Sequence, residues 1–170
     1  MGKMKKNKYI YLAGIIDGEG SLIITRSDRG TYYNYYARIH VKNTDMRLMH
    51  WLVDNFGGNI HPHKPKSPLH KKAYSWYFSG NAKSKEIFLL ALLPYLIIKK
   101  EQAILLVEFF RLCDVKCPEQ REKMYRQSLQ LNKRGPTVET NTQIAEQDSV
   151  KIESELIGDY ESDLMVTLES

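Results

Sequence analysis

Between Lys8 and Ile16 the apolar residues Tyr9, Leu12, Ile15 and Ile16 recur at helical spacing and predict a stripe facing a core. The opposite stripe, Ala13, Gly14 and Gly18, carries almost no side chain. After Gly20 the period drops to two, with Leu22, Ile24 and Arg26 alternating against Ser21, Ile23, Thr25 and Ser27. Ser27-Asp28-Arg29-Gly30 is turn chemistry. From Thr31 the alternation resumes: Tyr33, Tyr35, Ala37, Ile39 and Val41 stand against Asn34, Tyr36, Arg38, His40 and Lys42. These two runs predict a long hairpin with one apolar face and one basic, aromatic face. Thr44 or Asp45 caps a helix over Met46–Asn55, which Gly57-Gly58 stops. A second hairpin runs over 59–66 and 71–79 through Ser67-Pro68, and Pro62 and Pro65 confine its first strand to an edge or a bulge. Asn81 caps a helix to about Leu93, Pro94 separates it from another over Tyr95–Cys113, and a polar helix covers Pro118–Leu131. The order is helix, two strands, helix, two strands, then helices, which is the α+β class.

Charge divides this chain in two. Residues 1–134 hold 24 Lys and Arg against 11 Asp and Glu, whereas 135–170 hold 1 against 9. The sequence therefore predicts one basic domain over 1–134 and an acidic, Thr/Ser-rich tail over 135–170 that is flexible or loosely docked. A basic body points to a polyanionic partner, most simply nucleic acid. Cys113 and Cys117 have no second pair, so neither a zinc site nor a disulfide framework is indicated, and they read as reduced thiols of an intracellular protein. Cytoplasm, nucleoid and organelle are not distinguished. The apolar run Ile87–Ile98 is short and interrupted by Pro94, so no membrane partner is expected. Leu156-Ile157-Gly158-Asp159 lacks an upstream helix and a glycine–acid ending, and is rejected as a motif.

The first helix ends in Asp17-Gly18-Glu19-Gly20, where the helix macrodipole is already negative. Two acids there call for a neutralising cation, and a hard divalent ion held by carboxylate and carbonyl oxygens is one answer. Leu12-Ala13-Gly14-Ile15-Ile16-Asp17-Gly18-Glu19-Gly20 resembles, nearly letter for letter, the signature of the LAGLIDADG homing endonucleases, with Ile15 for Leu, Gly18 for Ala and Glu19 for Asp. The resemblance extends over about residues 8–112. It implies an αββαββα fold with a concave antiparallel β-saddle for DNA. It also implies a free-standing, intron-type enzyme that hydrolyses one phosphodiester per strand with Mg²⁺, or with Mn²⁺ or Ca²⁺ in the metal sites.

By that resemblance Glu19 is the metal-binding acid, the Gly18 carbonyl is a further ligand, and Asp17 is the more structural acid. Ile39-His40-Val41-Lys42-Asn43 is similar to the family's strand end, which assigns Asn43 to orienting the attacking water. Arg47 follows as a basic member of the same pocket. Leu93-Pro94-Tyr95 through Lys99-Lys100-Glu101-Gln102-Ala103 is similar to the family's helix junction, with Lys99 as the pocket lysine. Chains with one motif dimerise through it, so Ala13, Gly14, Asp17 and Gly18 are the implied homodimer interface.

The hairpins' polar faces offer Thr25, Ser27, Asn34, Tyr36, Arg38, His40, Lys42, His61, His63, Lys71, Ser75 and Tyr77 to double-stranded DNA, a mixture suited to base edges and phosphates. Strands of about nine residues reach roughly 30 Å, or about nine base pairs each. A maturase binding intron RNA on the same fold and a non-catalytic DNA-binding regulator are the competing expectations.

Overall fold

The computed structural model describes residues 3–65, 67, 69, 71–112 and 118–133. Cys113, Cys117, Pro68 and the expected tail lie outside the described residues.

Helix α1 (Lys3–Glu19) passes straight into strand β1 (Gly20–Asp28). Gly20 permits that junction, because a Cβ there would lie 2.7 Å from both Cα and O of Ile16. Strand β2 (Tyr33–Asn43), helix α2 (Met46–Phe56), strands β3 (Asn59–His63) and β4 (Ala73–Tyr77) and helix α3 (Ala82–Leu92) complete the αββαββα order. A single turn of 3₁₀ helix (Leu93–Tyr95), then α4 (Lys100–Arg111) and α5 (Pro118–Leu131), follow.

The sheet has the order β1-β2-β4-β3, every pair antiparallel. Pro62 sits on β3 at the sheet edge, where a missing N–H does no harm. One face carries Leu22, Ile24, Ala37, Ile39, Val41 and Trp76, all buried, and the helices pack on it. Trp76 fixes the turn after α2 by donating from Nε1 to the Gly57 carbonyl at 2.7 Å. Gly58 turns at φ 94°, and a Cβ there would meet the Tyr77 carbonyl oxygen at 2.3 Å. Among the described residues no helix is long and apolar enough to cross a membrane.

Three local expectations shift. The buried stripe of α1 is Leu12, Ala13 and Ile16, with Tyr9 and Ile15 half-buried, so Ala13 belongs to the core and not to the open face. Strands β3 and β4 are shorter than the runs 59–66 and 71–79, because pairing ends at His63 and Ala73; Lys71 therefore precedes the strand. Helix α4 begins at Lys100, not Tyr95, because the N–H groups of Ile97 and Lys99 are taken by the Asp17 carboxylate.

Candidate functional site

The end of α1 is held from both sides. Asp17 accepts the Ile97 N–H at 2.8 Å and the Lys99 N–H at 3.0 Å, one on each carboxylate oxygen. Lys99 returns the contact: its Nζ donates to the carbonyls of Ile16, at 2.9 Å, and Asp17. Helix ends leave carbonyls unpaired and negative, so an ammonium on them is a favourable cap. Lys99 is itself partly buried. Desolvation draws its pKa down from the usual lysine value, against an opposing pull from the Asp17 and Glu19 carboxylates.

With Asp17 committed to the chain's own backbone, the next acid is the open one. Glu19 is exposed, and among the described residues nothing donates a hydrogen bond to it. Gly18 before it is exposed too, with nothing within 4 Å of where a Cβ would be. No group of three or more His, Cys, Asp or Glu among the described residues could hold a metal ion. Glu19 and Gly18 are thus two exposed neighbours at the end of α1.

Asn43 lies at the same end of the sheet, since Gly20 pairs with Val41 two residues earlier on β2. Its Oδ1 accepts the Asp45 N–H at 2.9 Å, which leaves the amide NH₂ as a donor. Asp45 caps α2 on the Arg47 N–H at 2.8 Å, and its carboxylate pairs with the exposed Arg47 guanidinium at 2.6 Å. That guanidinium holds the Asp45 carboxyl at about 2. The signature acid, Asn43 and Lys99 are gathered at one end of the sheet; Arg47 is there also, with its charge shared with Asp45.

The face away from the helices is polar. Alternation and register put Thr25 across from Tyr36, Ser27 across from Asn34, His40 across from Tyr77, and Lys42 across from Ser75, which in turn faces His61. His63 shares the face and bonds through Nε2 to the Ser75 hydroxyl at 2.7 Å. His40 stacks on Tyr77 with ring centroids 5.2 Å apart, and His61 meets the same ring edge-on at 5.4 Å. Burial, then Arg38, His63 and Lys42, lower the His40 pKa from its ordinary value. Ser75 departs from expectation. It is 2 % exposed beneath its larger neighbours, so it supports His63 and is not open to a base edge. Lys71 is exposed ahead of the strand. Asn59 and Ile23 also fall on this face, and period-two alternation carried through the register finds both.

Sequence reading found no role for α5, which covers the free edge of β1. Ser128, itself buried, accepts the Ile24 N–H at 2.9 Å. Glu122 accepts from Arg26 at 3.0 Å and from the Tyr35 hydroxyl at 2.8 Å. The signal for this was present only as an amphipathic register of Met124 and Ser128, without a cue to the partner.

Apolar side chains are exposed on α1 and again after the 3₁₀ turn. Ile10 and Tyr11 are 46 % and 57 % exposed, Gly14 and Gly18 lie beside them, and Ile97 and Ile98 after the 3₁₀ turn are 86 % and 71 % exposed.

Several solved structures share the fold of this chain. The homing endonuclease I-CvuI, solved with its target in the presence of Ca, matches with a TM-score of 0.63 at 18 % identity, over 91 % of this chain and 98 % of that one. The archaeal intron-encoded homing endonuclease I-Vdi141I, complexed with DNA, matches with a TM-score of 0.62 at 15 % identity, over 92 % and 98 %. The group I intron-encoded I-CeuI, also complexed with DNA, gives 0.58 at 16 % identity, over 82 % and 70 %. Such identities establish a shared fold. Among curated proteins none matches significantly in sequence. The family model for LAGLIDADG endonuclease matches residues 12–109, which span the signature, the whole sheet and the Lys99 junction. With the motif, the αββαββα order and the family match in agreement, the chain belongs to the LAGLIDADG endonuclease family.

Proposed function

We propose that two copies of this chain form a site-specific homing endonuclease that cuts both strands of a long, near-palindromic DNA target with a divalent cation, Mg²⁺ foremost. The observation that carries this reading is the division of labour between the two acids. Asp17 is spent on the chain's own backbone, whereas Glu19 stands open beside the uncovered Gly14–Gly18 face. Glu19 and the Gly18 carbonyl of two copies, with DNA phosphate oxygens, would supply the oxygen ligands that such an ion needs. Two I-CvuI–DNA complexes, one with Ca and one with Mg, support a hard divalent ion in this family.

When bound, such an ion supplies Lewis-acid stabilisation of the phosphate and activates water. The chain's own residues do the rest. Glu19 and the Gly18 carbonyl present oxygen ligands. Lys99, fastened to the last turn of α1, keeps that turn and its dipole in place and adds positive charge near the phosphate. Asn43 keeps a free amide donor with which to orient water, and Arg47 can exchange Asp45 for a phosphate oxygen. The sheet face positions the duplex: Arg38 and Lys42 meet phosphates, and Thr25, Ser27, Asn34, Tyr36, His40, His61, His63 and Tyr77 present donors, acceptors and rings to the groove.

The test is to incubate the protein with Mg²⁺ and a randomised duplex library and to sequence the ends produced. Paired cuts within one near-palindromic sequence are expected. Intact DNA, or ends scattered without sequence preference, would overturn the proposal.

A further inference from the structure

We propose that Glu122 is a positioning residue for DNA reading, clamping the outer half of the β1–β2 ribbon onto α5; this rests on the sheet face being the DNA-reading surface. Strand β4 pairs only with His40–Asn43 of β2, and one further bond joins the Phe78 N–H to the Ile39 carbonyl. From Tyr33 to Arg38 the ribbon is therefore two-stranded among the described residues. A two-stranded ribbon alone is marginal in water. Yet this part carries Thr25, Ser27, Asn34 and Tyr36 on its polar face.

Glu122 reaches both strands of that ribbon at one register pair. Arg26 and Tyr35 are directly opposite each other, on the face away from the readers. Arg26 Nη1 donates to both Glu122 oxygens, at 3.1 and 3.0 Å, and the Tyr35 hydroxyl donates at 2.8 Å. Arg126, one turn along α5, donates to the same carboxylate at 2.9 Å. The Arg26 guanidinium is flanked by the Tyr33 ring at 4.3 Å and the Tyr125 ring at 5.1 Å. Two pairs further in, Ser128 accepts the Ile24 N–H and fixes α5 along the strand. Arg26 is thus engaged by α5 and is not a hand for phosphate. The clamp sets the angle of a ribbon whose far face does the reading, and a shift of that ribbon misplaces every outer contact together.

The experiment binds the full chain, wild type and variants, to a duplex library randomised across the site, and sequences the bound fraction. Glu122→Gln is expected to lose about tenfold of its base discrimination at the outer positions of each half-site, with inner positions unchanged. Tyr35→Phe, which removes one hydrogen bond and keeps the ring, is expected to weaken the same positions to a smaller degree. It also carries the test if Glu122→Gln does not fold. Glu122→Asp should recover part of the outer discrimination. An unchanged profile in both variants, or a loss spread evenly over inner and outer positions, overturns the proposal. Wild-type protein that binds without sequence preference overturns the reading of the face, and the clamp with it.

Discussion

Asp17 and Lys99 hold each other in two directions: the carboxylate of Asp17 accepts the backbone N–H of Lys99 at 3.0 Å, and the ammonium of Lys99 donates to the Asp17 carbonyl. This reciprocal contact joins the end of α1 to the segment before α4, residues 82 positions apart. The cation that the negative helix end calls for is, at this first acid, part of the chain.

Removing the carboxylate should therefore loosen the junction. Asp17→Ala removes the acceptor of the Ile97 and Lys99 N–H groups, and each such bond contributes about 0.5–1.5 kcal/mol net. A thermal midpoint lower by several degrees is expected in calorimetry. A midpoint equal to wild type would show that the latch is dispensable.

Gly14 separates folding from association. A Cβ there meets nothing within 4 Å in the protomer, so Gly14→Ala should raise helix stability by up to about 1 kcal/mol. Gly14→Leu, by contrast, should shift sedimentation from dimer to monomer, because a branched side chain would hold two such helices apart. A Gly14→Leu protein that sediments as wild type would move the interface elsewhere.

Acid stability should report on α5. Arg126, Tyr35 and Arg26 hold the Glu122 carboxyl at about 2, below its ordinary 4.5. The folded state thus binds this proton less readily than the unfolded chain does. The contribution is fully present above pH 4.5 and is lost as pH falls toward 2. Glu122→Gln should be less stable than wild type at neutral pH, and the two melting curves should converge through that window. A gap that stays constant from neutral pH to pH 2 would deny the carboxylate its role.

Much of this architecture is legible in order. Asp45 and Gly57 bound α2 as the letters predict, because a cap and its stop are local chemistry. The two faces of β1 and β2 follow from alternation alone, and register then extends them to β4 and β3. What escapes is set by distant partners. Ala13 reads as part of an empty stripe until the sheet and helices close over it. Tyr95–Lys99 reads as helix until Asp17 takes two of its N–H groups. Ser75 alternates correctly onto the polar face, yet a small side chain between Lys42 and His61 is covered by its neighbours. Glu122 gives no sign of its partners, which lie 87 and 96 residues away.

The most direct measurement is cleavage and binding by Glu19→Gln, since Glu19 is exposed and its loss removes no hydrogen bond among the described residues. With Mg²⁺ and the selected target, binding should stay within a few-fold of wild type. Cleavage should fall by more than the roughly 10–100-fold that loss of even an outer partner of a metal ligand costs. A Glu19→Gln protein that cuts at the wild-type rate would contradict the account.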